Sequence, residues 1–160
     1  MPLTSGQCLL VKNRQANWRF CRLGRVPRAY LGVFTMPWES LAEVTPNKEY
    51  IAVVTWGTNW LDKFYTWLYY AENIRNRLRK SKGIMGYSFR SQSKPNQMWT
   101  LSVWEDAEPL MRFVRGSLHS KARVDLKPGA GGKFKWARWS IQGSSVPPSW
   151  EDAIGRVAKS

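Results

Sequence analysis

The sequence predicts a single α+β domain with a four-stranded antiparallel sheet, preceded by a basic segment and followed by a short helix. Two observations lead to this prediction. Four short segments are rich in β-branched and aromatic residues and are bounded by turn residues, which is typical of strands. Two longer segments carry apolar residues at steps of three and four, which is typical of helices with one buried face.

The first strand is predicted from Tyr50 to Trp56, where the apolar run lacks strict alternation and indicates burial on both faces. The first helix is predicted from Trp60 to Lys80, with Asn59 as its N-cap and Gly83 just beyond its end. Basic residues from Arg75 to Lys82 crowd its last turns, where they either complement the helix dipole or form a phosphate-binding patch. The buried stripe comprises Trp60, Phe64, Trp67, Leu68, Ala71, Ile74 and Leu78.

A hairpin is predicted next, with strands from Ile84 to Ser91 and from Gln97 to Trp104 joined by the turn Ser93 to Asn96. Alternation along the first of these strands divides its side chains between the two faces of the sheet. One face takes Met85, Tyr87 and Phe89, and the other takes Ile84, Gly86, Ser88 and Arg90.

The second helix is predicted to begin after the N-cap Asp106 and to carry Pro109 in its first turn. It is predicted to end near His119, which is the only histidine in the chain. Its buried stripe comprises Leu110, Phe113, Val114 and Leu118.

A glycine-rich loop at residues 128–132 leads to the last strand, which is predicted from Lys133 to Ile141. A terminal helix is predicted from Trp150 to Ala158, with Ser149 as its N-cap and acidic residues in its first turn. The resulting order of strand, helix, strand, strand, helix, strand is the ferredoxin-like split βαβ plan.

In this plan both main helices cover one face of the sheet, and the other face lies bare. Both faces of the first and third strands are apolar here. Because monomers seldom expose apolar patches larger than about 400 Å², the bare face needs a cover. A second copy of the sheet is the simplest cover, so the sequence predicts a homodimer.

Residues 1–38 differ from the rest of the chain, because they hold six basic residues and no acidic residue. They show no sustained helical or strand period, so we predict a flexible basic extension over 1–38 and the folded domain over 39–160. A transit peptide, or a natural start at Met36, is the alternative. The net charge of the chain is +14, which favours anionic partners or serves only solubility.

Both cysteines, Cys8 and Cys21, lie in the basic extension, and the other 139 residues have none. A disulfide framework is therefore not expected, and a reducing compartment, the cytoplasm, is predicted. With one histidine in the chain, a zinc site is disfavoured. No run approaches the roughly 20 apolar residues that span a bilayer.

Four groups of residues between positions 49 and 155 carry a family resemblance: the segment from Trp99 to Asp106, Phe113-Val114 with His119 beyond, Gly83 with Gly86-Tyr87-Ser88, and the late segment from Trp150 to Ala153. Through them, residues 49–155 resemble the antibiotic-biosynthesis-monooxygenase-like family of the dimeric α+β barrel superfamily. The resemblance implies a dimeric barrel with a cavity between the sheet and its two helices.

The resemblance also implies which side chains face that cavity. His119 is the expected catalytic residue, as a general base or a haem ligand, although it could instead cap its helix. Arg90 could hold a carboxylate or phenolate, or be a solvated charge at a strand end. The expected ligand-binding residues are Trp67, Tyr87, Arg90, Thr100, Ser102, Trp104 and Phe113.

The function implied by the resemblance is binding of a small hydrophobic or aromatic ligand, with cofactor-independent monooxygenation of an aromatic or polyketide-like substrate. Haem binding is the first alternative, although the first strand has Val53 to Trp56 where related haem degraders place an asparagine. A basic RNA- or anion-binding module is the second alternative. Nucleic acid is disfavoured, because the third strand, MWTLSVW, lacks the basic residues of an RNA-recognition motif.

Overall fold

The computed structural model describes residues 32–58, 63–126 and 132–160. Four helices and six strands are described, together with a 3₁₀ turn at Gly143–Ser145. The helices are α1 Phe64–Leu78, α2 Ala107–Val114, α3 Ser117–Asp125 and α4 Trp150–Ala158. The strands are β1 Val33–Thr35, β2 Glu39–Ser40, β3 Glu49–Thr58, β4 Ile84–Gln92, β5 Gln97–Trp104 and β6 Phe134–Gln142.

The sheet is antiparallel, and its four long strands lie in the order β4-β5-β3-β6. These four strands match the predicted ones, and the predicted α+β class is confirmed. The two additional strands, β1 and β2, both pair with the outer edge of β4. The sheet therefore begins before the predicted domain boundary at residue 39. Residues 1–31 lie outside the described part of the chain, so the predicted flexibility of the extension stays a prediction.

Helix α1 follows the predicted stripe in part: Phe64, Trp67 and Leu78 are buried, and so is Tyr70, which the stripe did not include. The predicted N-cap Asn59 and the first residues of the predicted helix lie outside the described residues. At the other end Gly83 has a φ of +79°, a backbone conformation that favours glycine. A Cβ on Gly83 would also lie 2.7 Å from Pro109 of α2. The close turn between α1 and β4 therefore needs glycine for two reasons.

The predicted second helix is two helices, because the chain leaves helical geometry at Gly116, where ψ is 144°. The guanidinium group of Arg77 occupies the space where a side chain on residue 116 would lie. Asp106 caps α2 as predicted, and its carboxylate accepts a hydrogen bond from the Glu108 amide at 2.7 Å. His119 is the third residue of α3. The interpretation of His119 as a cap on the last carbonyls of a helix is therefore wrong.

A bulge at the start of β4 changes which face its first side chains occupy. Ile84 is opposite Trp104 and Gly86 is opposite Val103, so one additional residue, Met85, is inserted between them. Met85 packs with Val103, whereas Ile84 packs with Tyr87 and Trp104. The predicted grouping of Met85 with Tyr87 is wrong, because strict alternation cannot account for an inserted residue.

One face of the sheet, which we call the helix face, packs against α1 and α2. On the opposite face, which we call the far face, the central side chains are at most 5% exposed. These side chains are Tyr50, Ala52, Val54, Trp99, Leu101 and Val103. Ala153 and Val157 of α4 cover one part of this face, and Trp38 packs against it as well. The prediction of a bare far face is therefore wrong, and the predicted homodimer loses its physical basis.

Helix α4 is held over the far face by polar contacts as well as apolar ones. The Ser149 hydroxyl accepts a hydrogen bond from the Asp152 amide at 3.1 Å, which confirms the predicted cap. The Arg156 guanidinium lies 4.8 Å from the ring centre of Trp139 on β6. It also donates to the Asp152 carboxylate at 2.8 Å. The contact of Arg156 with Trp139, and the hydrogen bond that Lys135 of β6 donates to the Ala158 carbonyl, join the helix to the sheet, whereas the contacts of Asp152 lie within the helix.

Some predictions concern residues that the structure does not describe. Cys8 and Cys21, on which the predicted reducing compartment depends, lie in residues 1–31, and most of the predicted loop at 128–132 is also outside the described residues. Within the described residues, each helix is too short or too polar to cross a membrane.

Candidate functional site

The centre of the helix face is more accessible than the centre of the far face. Val53 and Thr55 on β3, and Thr100 and Ser102 on β5, are half-buried although they lie in the middle strands beneath helices. Their neighbours on the far face are almost fully buried. Partial exposure at the middle of a covered sheet indicates a gap between the sheet and the helices. We call this gap the helix-face cleft.

The cleft is open toward β6, the strand at one edge of the sheet. Register places Trp136 opposite Thr55 and therefore on the helix face. Trp136 is 57% exposed and the neighbouring Phe134 is 52% exposed, so the described helices do not cover this strand. The open side therefore presents aromatic surface that suits a flat apolar ligand.

The floor of the cleft carries hydroxyl groups in an otherwise apolar setting. The Thr55 and Thr100 hydroxyl oxygens are 2.5 Å apart and share a hydrogen bond. The Trp104 indole N–H donates to the Ser102 hydroxyl at 2.9 Å. Each hydroxyl retains further hydrogen-bonding capacity after these contacts. The floor can therefore orient one or two oxygen atoms of a bound molecule.

Aromatic side chains line both ends of the helix face. Trp67 of α1 stacks on Phe64, with ring centres 6.2 Å apart, and belongs to a cluster that includes Met98. At the other end Phe113 packs on Trp104, with ring centres 5.3 Å apart. The predicted wall residues are therefore distributed along the cleft, and they do not form a single cage.

His119 lies behind Phe113. Its ring meets the ring of Phe113 edge-on, with centres 5.3 Å apart and an interplanar angle of 89°. The Nδ1 atom is buried and has no hydrogen-bond partner among the described residues. A series of contacts therefore runs from Ser102 through Trp104 and Phe113 to His119. The rings of Trp104 and Phe113 lie between the Ser102 hydroxyl and the His119 imidazole.

The electrostatics around His119 favour its neutral form. Burial is the main cause that lowers the pKa of His119, and the nearby cations Arg123 and Arg77 lower it further. A neutral imidazole at pH 7 has a free lone pair that can accept a proton. His119 is therefore in the protonation state that a general base requires.

Tyr87 lies on the helix face as predicted, but it has a structural partner. Its hydroxyl donates to the Glu39 carboxylate at 2.7 Å, and Arg79 donates to the same carboxylate at 2.9 Å. Burial raises the pKa of Tyr87, and the hydrogen bond from Arg79 is the main cause that lowers the pKa of Glu39. Tyr87 is therefore a neutral donor within a fixed network. Sequence analysis missed Glu39 because a two-residue strand leaves no periodic signal.

Arg90 does not join this group. It alternates with Tyr87 and Phe89 on β4, and its register partner Trp99 belongs to the far face. Its Nε atom is buried without a hydrogen-bond partner among the described residues. The prediction that Arg90 shares a cavity with His119 is therefore wrong, because the sheet separates them.

The chemistry of the described side chains bears on metal and haem binding. The described ranges contain no group of three histidine, cysteine or acidic side chains that could hold a metal ion. A haem ligand needs an imidazole nitrogen that reaches an opening wide enough for a porphyrin. The Nδ1 atom of His119 is buried, and the ring meets the edge of Phe113, so this side offers no such opening.

Comparison with solved structures identifies the fold. A conserved protein from Methanosarcina mazei matches 59% of this chain and 94% of its own, with 15% identity and a TM-score of 0.52. A candidate antibiotic biosynthesis monooxygenase from Nitrosomonas europaea matches 64% and 95%, with 10% identity and a TM-score of 0.50. A candidate monooxygenase from Fusobacterium nucleatum matches 69% of this chain and 49% of its own, with 9% identity and a TM-score of 0.52.

These likenesses confirm the predicted resemblance at the level of the fold. No protein-family model matches the sequence. No curated protein matches it either.

Proposed function

We propose that this protein binds a small aromatic or polyketide-like molecule in the helix-face cleft and oxygenates it without a cofactor. The observation that carries the proposal is the half-buried hydroxyl floor of Thr55, Thr100 and Ser102 beneath aromatic side chains. The monooxygenase-like names of two proteins with the same fold support this kind of chemistry. In this proposal a ligand enters past Trp136 and lies over the hydroxyl floor.

The chemistry begins with removal of a proton from a hydroxyl group of the substrate. The resulting electron-rich anion transfers electrons to O₂, and a carbon–oxygen bond forms to give a hydroperoxide. Loss of water then leaves a carbonyl group on that carbon. The carbon that is oxidised is a CH₂ group in the substrate. One atom of O₂ stays on it as the carbonyl oxygen, and the other leaves as water with the two hydrogen atoms of that group. The protein must supply a binding site and a base.

His119 is the proposed base, because its lowered pKa keeps it neutral at pH 7. Thr100 and Ser102 orient the substrate oxygens, and Trp104 and Phe113 form the wall between the floor and His119. Both Trp104 and Phe113 would have to move aside on ligand binding for the imidazole to reach the substrate. Arg90 has no role in this proposal, because it lies on the far face.

Haem binding and a homodimer, both predicted from the sequence, form no part of this proposal. The proposal contains no step through haem, because it uses His119 as a base and not as an iron ligand. Since α4 covers the far face, we do not propose a homodimer through that face. The predicted cytoplasmic location stays a prediction.

The test is oxygen consumption by the purified chain with an electron-rich hydroxyanthrone, together with mass analysis of the product. His119→Ala is expected to lower kcat by about 10²–10⁴-fold, the range for loss of a general base. Thr100→Val removes a floor hydroxyl and is expected to raise KM. Ser120→Ala, an exposed position on the same helix as His119, is the matched control. Unchanged turnover in His119→Ala would refute the assigned base.

A further inference from the structure

A second cavity, of about 230 Å³, lies between the end of α1 and the start of α2. Four cationic side chains line it: Arg77, Lys80, Lys82 and Arg112. Pro109 and Phe113 provide apolar surface in the same cavity. This volume is below the roughly 300–1,000 Å³ of sites for drug-sized ligands, so it suits a small group. We call it the basic pocket.

The basic pocket has more positive charge than its neighbours neutralise. Arg112 forms an ion pair with Glu108. Within the described residues, Arg77, Lys80 and Lys82 have no ion pair.

The other acidic groups nearby are already engaged. Glu105 is 2.6 Å from Lys48, and Asp106 caps α2. Three cations around a small cavity therefore lack a counter-charge, which favours an anionic ligand.

The backbone around the pocket is held in place before any ligand arrives. The Ser81 hydroxyl donates to the Arg77 carbonyl at 2.9 Å, which fixes the turn at the end of α1. The half-buried guanidinium of Arg77 lies against Gly116. It fills the space that the side chain of any larger residue at position 116 would occupy. Because Arg77 is packed on the backbone, less side-chain freedom is lost when it binds an anion.

We propose that the basic pocket binds the phosphate group of a small phosphate ester. Arg77, Lys80 and Lys82 contact the phosphate oxygens through charge-assisted hydrogen bonds, and an arginine fork suits the two-oxygen geometry of phosphate. The organic part of the ester lies on Pro109 and Phe113. This site adjoins the helix-face cleft, because Phe113 borders both, but phosphate binding does not depend on oxygenation.

The test measures binding by calorimetry and by amide chemical shifts, with phenyl phosphate, inorganic phosphate and a short RNA as separate probes. Phenyl phosphate is expected to bind one to one and more tightly than inorganic phosphate, because only the ester reaches the apolar surface. Amide shifts are expected at Ser81 and Gly116, which border the pocket. Inorganic phosphate binding as tightly as the ester would overturn the assignment of the organic part.

A charge-matched pair of double variants gives the control. Lys80→Gln/Lys82→Gln and Lys94→Gln/Lys159→Gln both replace exposed lysines and both reduce the net charge from +14 to +12. The first is expected to weaken phenyl phosphate binding by about tenfold or more, as for loss of two charge-assisted contacts, and the second to leave it unchanged.

Equal weakening in both variants would show a non-specific charge effect and overturn the proposal. Binding of RNA with a steep salt dependence, without any binding of phenyl phosphate, would also overturn it and favour a nucleic-acid surface. Oxygen consumption is a separate measurement, so failure here leaves the proposed oxygenation untouched.

Discussion

Replacing Val157 with aspartate tests whether α4 substitutes for a second copy of the sheet. Val157 is 3% exposed and packs on the far face with Val54, Trp99 and Leu101. A carboxylate buried there without a partner is costly enough that the helix is expected to leave the sheet. The part of the far face around Val54, Trp99 and Leu101 would then be exposed to solvent as an apolar surface.

The size of the effect follows from the side chains that α4 buries. Detachment loses the burial of Ala153 and Val157 and the partial burial of Trp150 and Ile154, about 4–6 kcal/mol as an upper limit. Val157→Ala is a milder test. It removes two methyl groups, about 1.6 kcal/mol of transfer free energy, and the cavity raises the total to about 2–3 kcal/mol.

The assays are urea unfolding followed by tryptophan fluorescence and light scattering after size exclusion at several protein concentrations. The unchanged protein is expected to run with the mass of one chain. Val157→Asp is expected to lower the free energy of unfolding and to form dimers or larger species through the exposed far face. Ala158→Asp, an exposed position on the same helix, is expected to change stability by less than about 1 kcal/mol. A wild-type dimer that Val157→Asp leaves intact and equally stable would refute the reasoning.

Four further predictions concern pH and backbone geometry. Arg123→Gln removes a cation that lowers the pKa of His119, so the imidazole pKa measured by NMR, and the acid limb of the rate profile, should move to higher pH. Because burial lowers the His119 pKa below its unfolded value of about 6.5, stability should fall as the pH drops below that value, and less so in His119→Ala. Glu39→Gln should lower the free energy of unfolding, measured in urea at pH 7, by about 1 kcal/mol. Because the folded pKa of Glu39 is lowered, the difference in free energy between the two proteins should disappear as the pH falls below 4.5. Gly83→Ala should destabilise by about 1–2 kcal/mol or more because of its positive φ, whereas Gly155→Ala, exposed in α4, should stabilise by about 0.5–1 kcal/mol; equal melting temperatures for the two glycine variants would contradict this account.

Local patterns were sufficient to predict the long elements. The predicted third strand, Gln97 to Trp104, has the observed bounds, and the terminal helix does as well. These segments are bounded by turn residues or a capping residue, so the necessary information lies within a few positions. The predicted first strand, Tyr50 to Trp56, is a part of β3, which extends further at both ends.

Features that depend on distant contacts were not predicted. The close approach of Arg77 to Gly116, where the helix is interrupted, joins residues that lie far apart in the sequence. The periodic Leu118 continued the apparent stripe across that interruption, so a single helix was expected. The helix α4 was predicted, but its position on the far face depends on how Ala153 and Val157 meet the sheet.

The candidate site was predicted in part for the same reason. Alternation along β5 correctly placed Thr100, Ser102 and Trp104 on one face. Arg90 was assigned to the cavity by resemblance, although alternation on its own strand separates it from Tyr87. The partnership of Tyr87 with Glu39 joins residues 48 positions apart, and no local pattern indicates it.

The way α3 is attached determines how easily that part of the molecule opens. Ala122 is its single buried residue, whereas α1 has four and α2 and α4 have two each. Beyond the ring contact of His119 with Phe113, α3 is anchored by two polar contacts. The Tyr70 hydroxyl donates to the Asp125 carboxylate, and Lys63 donates to the Asp125 carbonyl at 2.8 Å. Amide protons of α3 should therefore exchange with solvent sooner than those of its neighbours, through local unfolding. His119 is carried on this segment, so a brief opening of α3 would let an incoming molecule reach the imidazole while the rest of the fold stays closed.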